Sequence, residues 1–327
     1  MKPIVLVIAP PEDPHLKVMV PHLEGRGAEV VCWHIGGFPA ESTISAHLQS
    51  GAWCVQLNKS LHLEEIHSIW NRRARSPVPV PDETTKKFPD ETTKKFVDGE
   101  AAQAVYGLLG SLRRVKWVNH PQANRVAGYK LVQLQTASQC GLAIPETLVT
   151  NDPVMARDFF DGCGGEVIYK TLRQHTLAEG ATIYTSEVLP EHLERDMRAG
   201  IRDTAHLFQK KVPKELELRS MVIGKRILTA EIYSQHSESS RIDFRRGYDD
   251  LRYGIHDDLP LNLQVKLLRF MDRMDLAFGM IDFILTPGGE YVFLEVNPSG
   301  QWYWLEKETG LPMCDALADY LVEGEEP

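Results

Sequence analysis

At 327 residues the chain is about twice a mean domain, so two or three lobes are expected. Hydrophobic residues at 43% and charged residues at 25% exclude disorder, collagen-like repeats and a disulfide scaffold. A formal charge of −9 argues against a whole-chain grip on nucleic acid, and no run of about 18 apolar residues is present to span a membrane. Cys32, Cys54, Cys140, Cys163 and Cys314 are scattered, odd in number and without CxxC spacing. A reduced, cytoplasmic setting without structural zinc is therefore expected.

The first segment alternates strand and helix. Ile4–Ile8 reads as a buried strand, His15–Leu23 as a helix ending at Gly25 and Gly27, Ala28–Trp33 as the next strand and Cys54–Leu57 as a third. That order predicts a small parallel α/β unit. Its first turn, Pro10-Pro11-Glu12-Asp13, lacks the glycines of a dinucleotide fingerprint. Ser76–Pro81 holds three prolines and reads as an extended linker. Pro81–Phe88 is then repeated without change as Pro89–Phe96, a polar stretch with no apolar stripe that reads as a duplicated surface loop. Its Thr-Thr followed by Asp and Glu also has the look of a modifiable peptide. Asp98 is expected to cap a helix through Arg114, with Val105, Leu108, Leu109 and Leu112 on one face. Trp117-Val118 followed by Asn119-His120-Pro121 marks a lobe boundary, giving 1–118, 119–207 and 208–327 with a linker over 76–97.

Beyond it, Lys130–Cys140 reads as a helix, Thr147–Thr150 and Glu166–Thr171 as strands, and Asp152-Pro153 as a helix start. The pattern then turns antiparallel. Leu218–Ile223 and Arg226–Ile232 flank the Gly224-Lys225 turn; Met280–Thr286 and Glu290–Val296 flank Pro287-Gly288-Gly289. Leu261–Met274 and Met313–Leu321 read as helices.

The chemistry is concentrated on the last hairpin. Glu295 and Asn297 are two apart and share a strand face, and Asp282 lies on the adjoining strand. Carboxylates embedded in apolar strands are costly unless paired or metal-bound, and this oxygen set suits Mg²⁺. Lys170 ends an apolar strand and Lys130 opens a helix; each suits a phosphate or is a plain surface charge. Phe208-Gln209-Lys210-Lys211-Val212-Pro213 resembles an interlobe hinge whose backbone can read an adenine edge, and Glu217 after it suits a ribose hydroxyl.

Together these features resemble the ATP-grasp superfamily. Trp117-Val118-Asn119-His120-Pro121, Lys130–Gln135, Gly141–Pro153 and Leu294-Glu-Val-Asn-Pro-Ser-Gly-Gln-Trp302-Tyr-Trp304 narrow the resemblance to the microviridin-type (graspetide) peptide maturases. Ile69-Trp70-Asn71-Arg72-Arg73 and Asp243-Phe244-Arg245 are similar as well. The resemblance implies a mixed α/β and α+β ATP-grasp fold: an N-terminal α/β lobe, a central lobe and a C-terminal ATP-grasp lobe. It implies ATP-dependent closure of rings in a ribosomal precursor peptide, joining Asp or Glu carboxylates to Ser or Thr hydroxyls through an acyl phosphate. By the same resemblance, Lys130 and Lys170 hold nucleotide phosphates. Gln209, Lys210 and Val212 form the adenine hinge, Glu217 meets the ribose, and Asp282, Glu295 and Asn297 carry Mg²⁺. Arg245 is the catalytic cation, with an ion pair to Asp243 or Asp249 as its rival role. Arg72 and Arg73 are expected beside the docking region of a leader segment. The phosphate-covering loop, Gln174–Ala181, departs from the pattern in holding only Gly180.

Partners are then ATP, Mg²⁺ and a leader-bearing precursor, without nucleic acid or membrane, and with a homodimer allowed. Three alternatives stay open: an amide-forming cyclase that uses Lys, an intermolecular carboxylate–amine ligase, and a non-catalytic ATP-binding module. Gln301–Trp304 is left undivided between core packing and a peptide site.

Overall fold

The computed structural model describes residues 2–73, 90–173, 183–196, 200–238, 240–247 and 251–323. β1 (Ile4–Ile8) and β2 (Glu29–Trp33) are followed by an antiparallel meander of β3 (Ile44–Gln49), β4 (Ala52–Leu57) and β5 (Leu61–His62). The chain then rejoins the first sheet as β6 (Ile66–Asn71) and β7 (Lys116–Val118), giving the parallel order β2-β1-β6-β7. The third parallel strand is thus Ile66–Asn71. Cys54–Leu57, expected in that place, pairs antiparallel with Ile44–Gln49 through the Ser50-Gly51 turn. Both turn residues have positive φ, at 50° and 81°, as a two-residue type I′ hairpin requires.

The helix expected from Asp98 starts earlier. It runs Glu91–Ser111, capped by the Asp90 carboxylate, which accepts from Thr93 N–H at 2.7 Å. Most of the second repeat copy is therefore helical; Pro81–Phe88 and Pro89 lie outside the described residues. Val105, Leu108 and Leu109 are buried as expected, against Leu6, Ile8 and Ile69 of the parallel sheet.

β8 (Thr147–Thr150), β9 (Val167–Lys170), β10 (Ser186–Glu187) and β11 (His206–Lys210) make a second sheet of order β10-β9-β11-β8. The expected 207/208 boundary falls inside β11, whose residues pair on both sides within this sheet. β12 (Leu216–Ile223), β13 (Arg226–Ile232), β14 (Tyr253–Ile255), β15 (Phe278–Leu285) and β16 (Tyr291–Asn297) make a five-stranded sheet of order β14-β13-β12-β15-β16. Its strands change character along one face. On β12 that face reads Glu217, Arg219, Met221, Ile223; on β15 it reads Phe278, Met280, Asp282. The apolar end, with Met221, Ile223, Phe278 and Met280, joins a core that includes Val5, Val7, Met19, Trp302 and the C-terminal helix Met313–Val322. The polar end is left for chemistry. The opposite face packs on helices Lys130–Gln139 and Leu261–Arg273 through Leu134, Leu267, Phe270, Ile281, Phe283 and Phe293.

A bulge sets this arrangement. Asp282 pairs with Glu295, but Phe283 pairs with Phe293, so Leu294 is the extra residue. Simple alternation would put residues 293, 295 and 297 on one face. The bulge instead sends Phe293 to the core, edge-on to Phe283 at 5.9 Å, and leaves Glu295 facing Asp282.

Candidate active site

The polar ends of the two sheets meet. Lys130, at the first turn of its helix, places Nζ 2.9 Å from Glu295 Oε2. Lys170 ends β9 and feels Glu295, Lys130, Lys214 and Glu217 together. Burial and the neighbouring lysines pull its ammonium down to about 8, against the attraction of Glu295 and Glu217. For Glu295 burial pushes the other way, yet Lys130, Lys170 and Arg245 hold it at about 2. Asp282, directly across from Glu295, is pushed up to about 6 by burial and by the Glu295 charge, with Arg219 opposing. Asp282 and Glu295 therefore form one shared anionic site with unequal halves.

Arg219 is the residue that the sequence reading passed over. It lies opposite Asp282 on β12, and its Nη1 donates to both carboxylate oxygens at 2.8 and 2.9 Å. The rule that singled out Asp282 and Glu295, a charge embedded in an apolar strand, applies equally to Arg219 in Leu216-Glu-Leu-Arg-Ser-Met. Lys214 was passed over too; its Nζ donates to Glu217 Oε1 at 3.0 Å and to the Ile242 carbonyl at 2.9 Å.

Glu217 is buried, and Oε1 also accepts from Ser234 Oγ at 2.8 Å; Oε2 has no partner among the described residues. Asn297 lies one step beyond Glu295 on the same face, with Oδ1 accepting from Ser299 N–H at 3.0 Å. In the hinge, the Gln209 side chain turns inward to Thr147 Oγ1, at 3.0 Å, and its buried Oε1 has no partner among the described residues. Lys210 is exposed, and its N–H is engaged by the Glu146 carbonyl. Val212 N–H has no partner among the described residues, so the hinge offers a main-chain donor there.

Arg245 forks Asp243 with Nε at 2.8 Å and Nη2 at 2.6 Å, which is the rival ion pair considered for it. Nη1 has no partner among the described residues. Burial pushes the Asp243 carboxyl up, but the Arg245 fork and Thr185 N–H outweigh it and hold it at about 2. Asp282 and Glu295 both raise the Arg245 guanidinium, which places it at the rim of the same cluster. The covering loop, 174–181, lies outside the described residues.

Of the two arginines expected beside a leader-docking region, Arg72 is buried, with Nη1 donating to the carbonyls of Ser299 and Gly300, whereas Arg73 is exposed. Trp302 is wholly buried against His15, Trp70 and Phe278, so it is core. Trp304 is partly buried against the same core, with Tyr253 edge-on at 5.3 Å and Phe244 at 6.4 Å.

Asp282, Glu295 and Asn297 offer hard oxygen donors on one face, and the described residues hold no cluster of three His, Cys, Asp or Glu. Such a set fits Mg²⁺ that takes its remaining ligands from phosphate and water. Among the described residues no helix is long and apolar enough to cross a membrane, and all five cysteines are free.

Residues 4–125 match the family model described as the MvdD pre-ATP grasp domain. No curated protein matches the chain. Macrocyclase MdnB from Microcystis aeruginosa MRC is similar at 32% identity and TM-score 0.78, covering 98% of this chain and 99% of that one. Macrocyclase MdnC from the same organism, bound with precursor peptide MdnA, is similar at 27% identity and TM-score 0.82, covering 98% and 100%. The Chryseobacterium gregarium RiPP-associated ATP-grasp ligase, in complex with ADP and a leader and core peptide, is similar at 26% identity and TM-score 0.88, covering 99% and 98%. A full-length likeness of this identity to a macrocyclase, on an ATP-grasp fold with a matching N-terminal lobe, makes this chain a member of the ATP-grasp ligases that macrocyclise ribosomal peptides, the microviridin-type or graspetide maturases.

Proposed function

We propose that this enzyme closes ω-ester rings in a ribosomal precursor peptide, joining Asp or Glu side chains to Ser or Thr hydroxyls, with ATP and Mg²⁺. The observation that carries the reading is the convergence of Lys130, Lys170, Arg219, Asp282 and Glu295, from separate elements, on one face between two sheets. ATP lies between the lobes of 119–207 and 208–327 in this reading. The adenine edge meets Val212 N–H, a ribose hydroxyl donates to Glu217 Oε2, and Lys130 and Lys170 hold phosphate oxygens. Asp282, Glu295 and Asn297 are the ligands for Mg²⁺, which would neutralise phosphate charge when bound. Structures of similar ligases contain ADP and leader, core or precursor peptides, which supports both partners.

The reaction needs two displacements. A peptide carboxylate oxygen attacks the γ-phosphorus and ADP leaves, giving an acyl phosphate. The hydroxyl oxygen then attacks the acyl carbon; phosphate leaves and carries off the hydroxyl proton. The peptide loses one water per ring. Lys130, Lys170 and Arg245, whose Nη1 has no partner among the described residues, surround the charge that moves through these steps, and the fork to Asp243 fixes the Arg245 plane. Among the described residues, no histidine is among the main charges felt by Asp282, Glu295 or Lys170. Positioning then supplies most of the rate.

The test is mass spectrometry of a leader-bearing precursor peptide after incubation with this enzyme and ATP. Loss of water that mild alkali restores supports esters. Loss that survives alkali makes the product an amide. A free amine joined without water loss from a single chain supports the intermolecular ligase instead.

A further inference from the structure

The turn that leaves the acidic strand is held in an unusual way. Pro298, Ser299, Gly300 and Gln301 present four consecutive carbonyls, and each accepts from a side chain. Asn119 Nδ2 donates to Pro298 at 3.0 Å, Arg72 Nη1 donates to Ser299 and, at 3.2 Å, to Gly300, and Arg219 Nη2 reaches Gln301 at 3.5 Å. Asn297 closes the turn from its start, taking Ser299 N–H on its side chain and Gly300 N–H on its carbonyl. Gly300 lies so close to Met280 that an added Cβ would sit 2.6 Å from Met280 Cβ and 3.3 Å from Arg219 Nη2. The turn is therefore wedged between Arg72 on one side and Arg219 on the other, and Arg219 grips Asp282.

Arg72 itself is only 1% exposed, stacks over Trp302 at 5.3 Å, and has Asp13 Oδ2 3.4 Å from Nε. His15 completes the nest: as the Nδ1–H tautomer it donates to Asp13 at 3.0 Å and accepts Trp302 N–H on Nε2 at 3.4 Å. A buried guanidinium is a poor source of stability, because apolar residues of the same volume commonly do as well. What it offers is a rigid fork with fixed donor directions.

We infer that Arg72, in the N-terminal lobe, is a positioning residue for ring closure: it fixes the Pro298–Gln301 turn and through it the Arg219–Asp282 pair. The inference rests on the proposed site. It gives the N-terminal lobe a part in the chemistry without any contact to the reacting atoms.

Arg72→Lys keeps a cation beside Asp13 but cannot serve both carbonyls in the same way. Its kcat with a precursor peptide that the wild type cyclises should fall about 10- to 100-fold, as small misplacements do. KM for the precursor, and the affinity for ADP alone by calorimetry, should stay within about threefold. Added to Arg219→Lys, Arg72→Lys should cause no further loss, because both act through one turn. A kcat within about twofold of wild type, or losses that multiply in the double variant, would overturn the inference. If Arg72→Lys does not fold, Asp13→Asn is measured in the same way; it keeps the cap on His15 N–H and removes the counter-charge. The same split between kcat and KM supports the inference, and an unchanged kcat overturns it. Asp282→Asn separates the two levels: full turnover in that variant sinks the site itself, whereas a dead Asp282→Asn with an indifferent Arg72→Lys sinks only the positioning role.

Discussion

Arg219→Met tests the physics of the anionic pair without any substrate. Arg219 and Asp282 are 10% and 15% exposed, and Nη1 donates to both carboxylate oxygens. Removing one member of a buried pair costs about 3–5 kcal/mol when the other stays charged. Asp282 has an escape, because burial already pushes it up to about 6 and the loss of Arg219 would push it higher. At neutral pH it would take a proton, which limits the loss to about 2–3 kcal/mol. The sign with pH follows. A carboxyl raised in the folded state contributes stability that is present below its unfolded value and is lost as pH rises. In the variant that loss continues to higher pH, so the gap to wild type should widen from pH 5 to pH 8. Urea denaturation followed by the buried Trp70 and Trp302 reads both effects. Arg219→Met/Asp282→Leu should recover most of the loss, since neither charge is then stranded. A variant within about 0.5 kcal/mol of wild type at pH 7 would refute the coupling.

Three further outcomes are expected. Gly300→Ala should cost about 1–3 kcal/mol by overpacking against Met280, read as a lower melting temperature; an unchanged value would mean that the turn is not wedged. His15 is depressed by burial, with Arg72 adding to it, so its contribution is present above the ordinary histidine value and is lost as pH falls. His15→Gln should therefore lose less stability than wild type between pH 7 and pH 5, and equal losses would refute this. Deleting Pro89–Phe96 should change stability by under about 0.5 kcal/mol, because the remaining copy brings an identical Pro-Asp-Glu-Thr-Thr cap to the same helix; a larger loss would show that the second copy has contacts of its own.

What the sequence showed, and what it hid, follows from range. Asp282, Glu295 and Asn297 were legible because charge in an apolar strand is a local signal, and alternation says which residues share a face. The Leu294 bulge was not, since it depends on which Phe meets which across the pair. Arg219 carried the same local signal as Asp282 and was overlooked beside Glu217. The parallel role of Ile66–Asn71 was hidden because it and Cys54–Leu57 are equally strand-like; the Ser50-Gly51 turn, which ties the latter into a hairpin, was the available clue. Glu91–Phe96 reads as loop because it has no apolar stripe. It is helical because Val105, Leu108 and Leu109 anchor the later turns and Asp90 caps the start. The burial of Arg72 was hidden, because it depends on the returning 298–301 turn, over two hundred residues away.

The most direct measurement of the central claim is the mass of the precursor after incubation with ATP and Mg²⁺ by wild type and by Glu295→Gln. Glu295 faces Asp282 across the bulge and holds Lys130, so the account predicts one water lost per ring with wild type. It predicts none with Glu295→Gln, whose circular dichroism should match wild type. Ring formation at a near-wild-type rate by Glu295→Gln, with Mg²⁺ the only metal present, would contradict it.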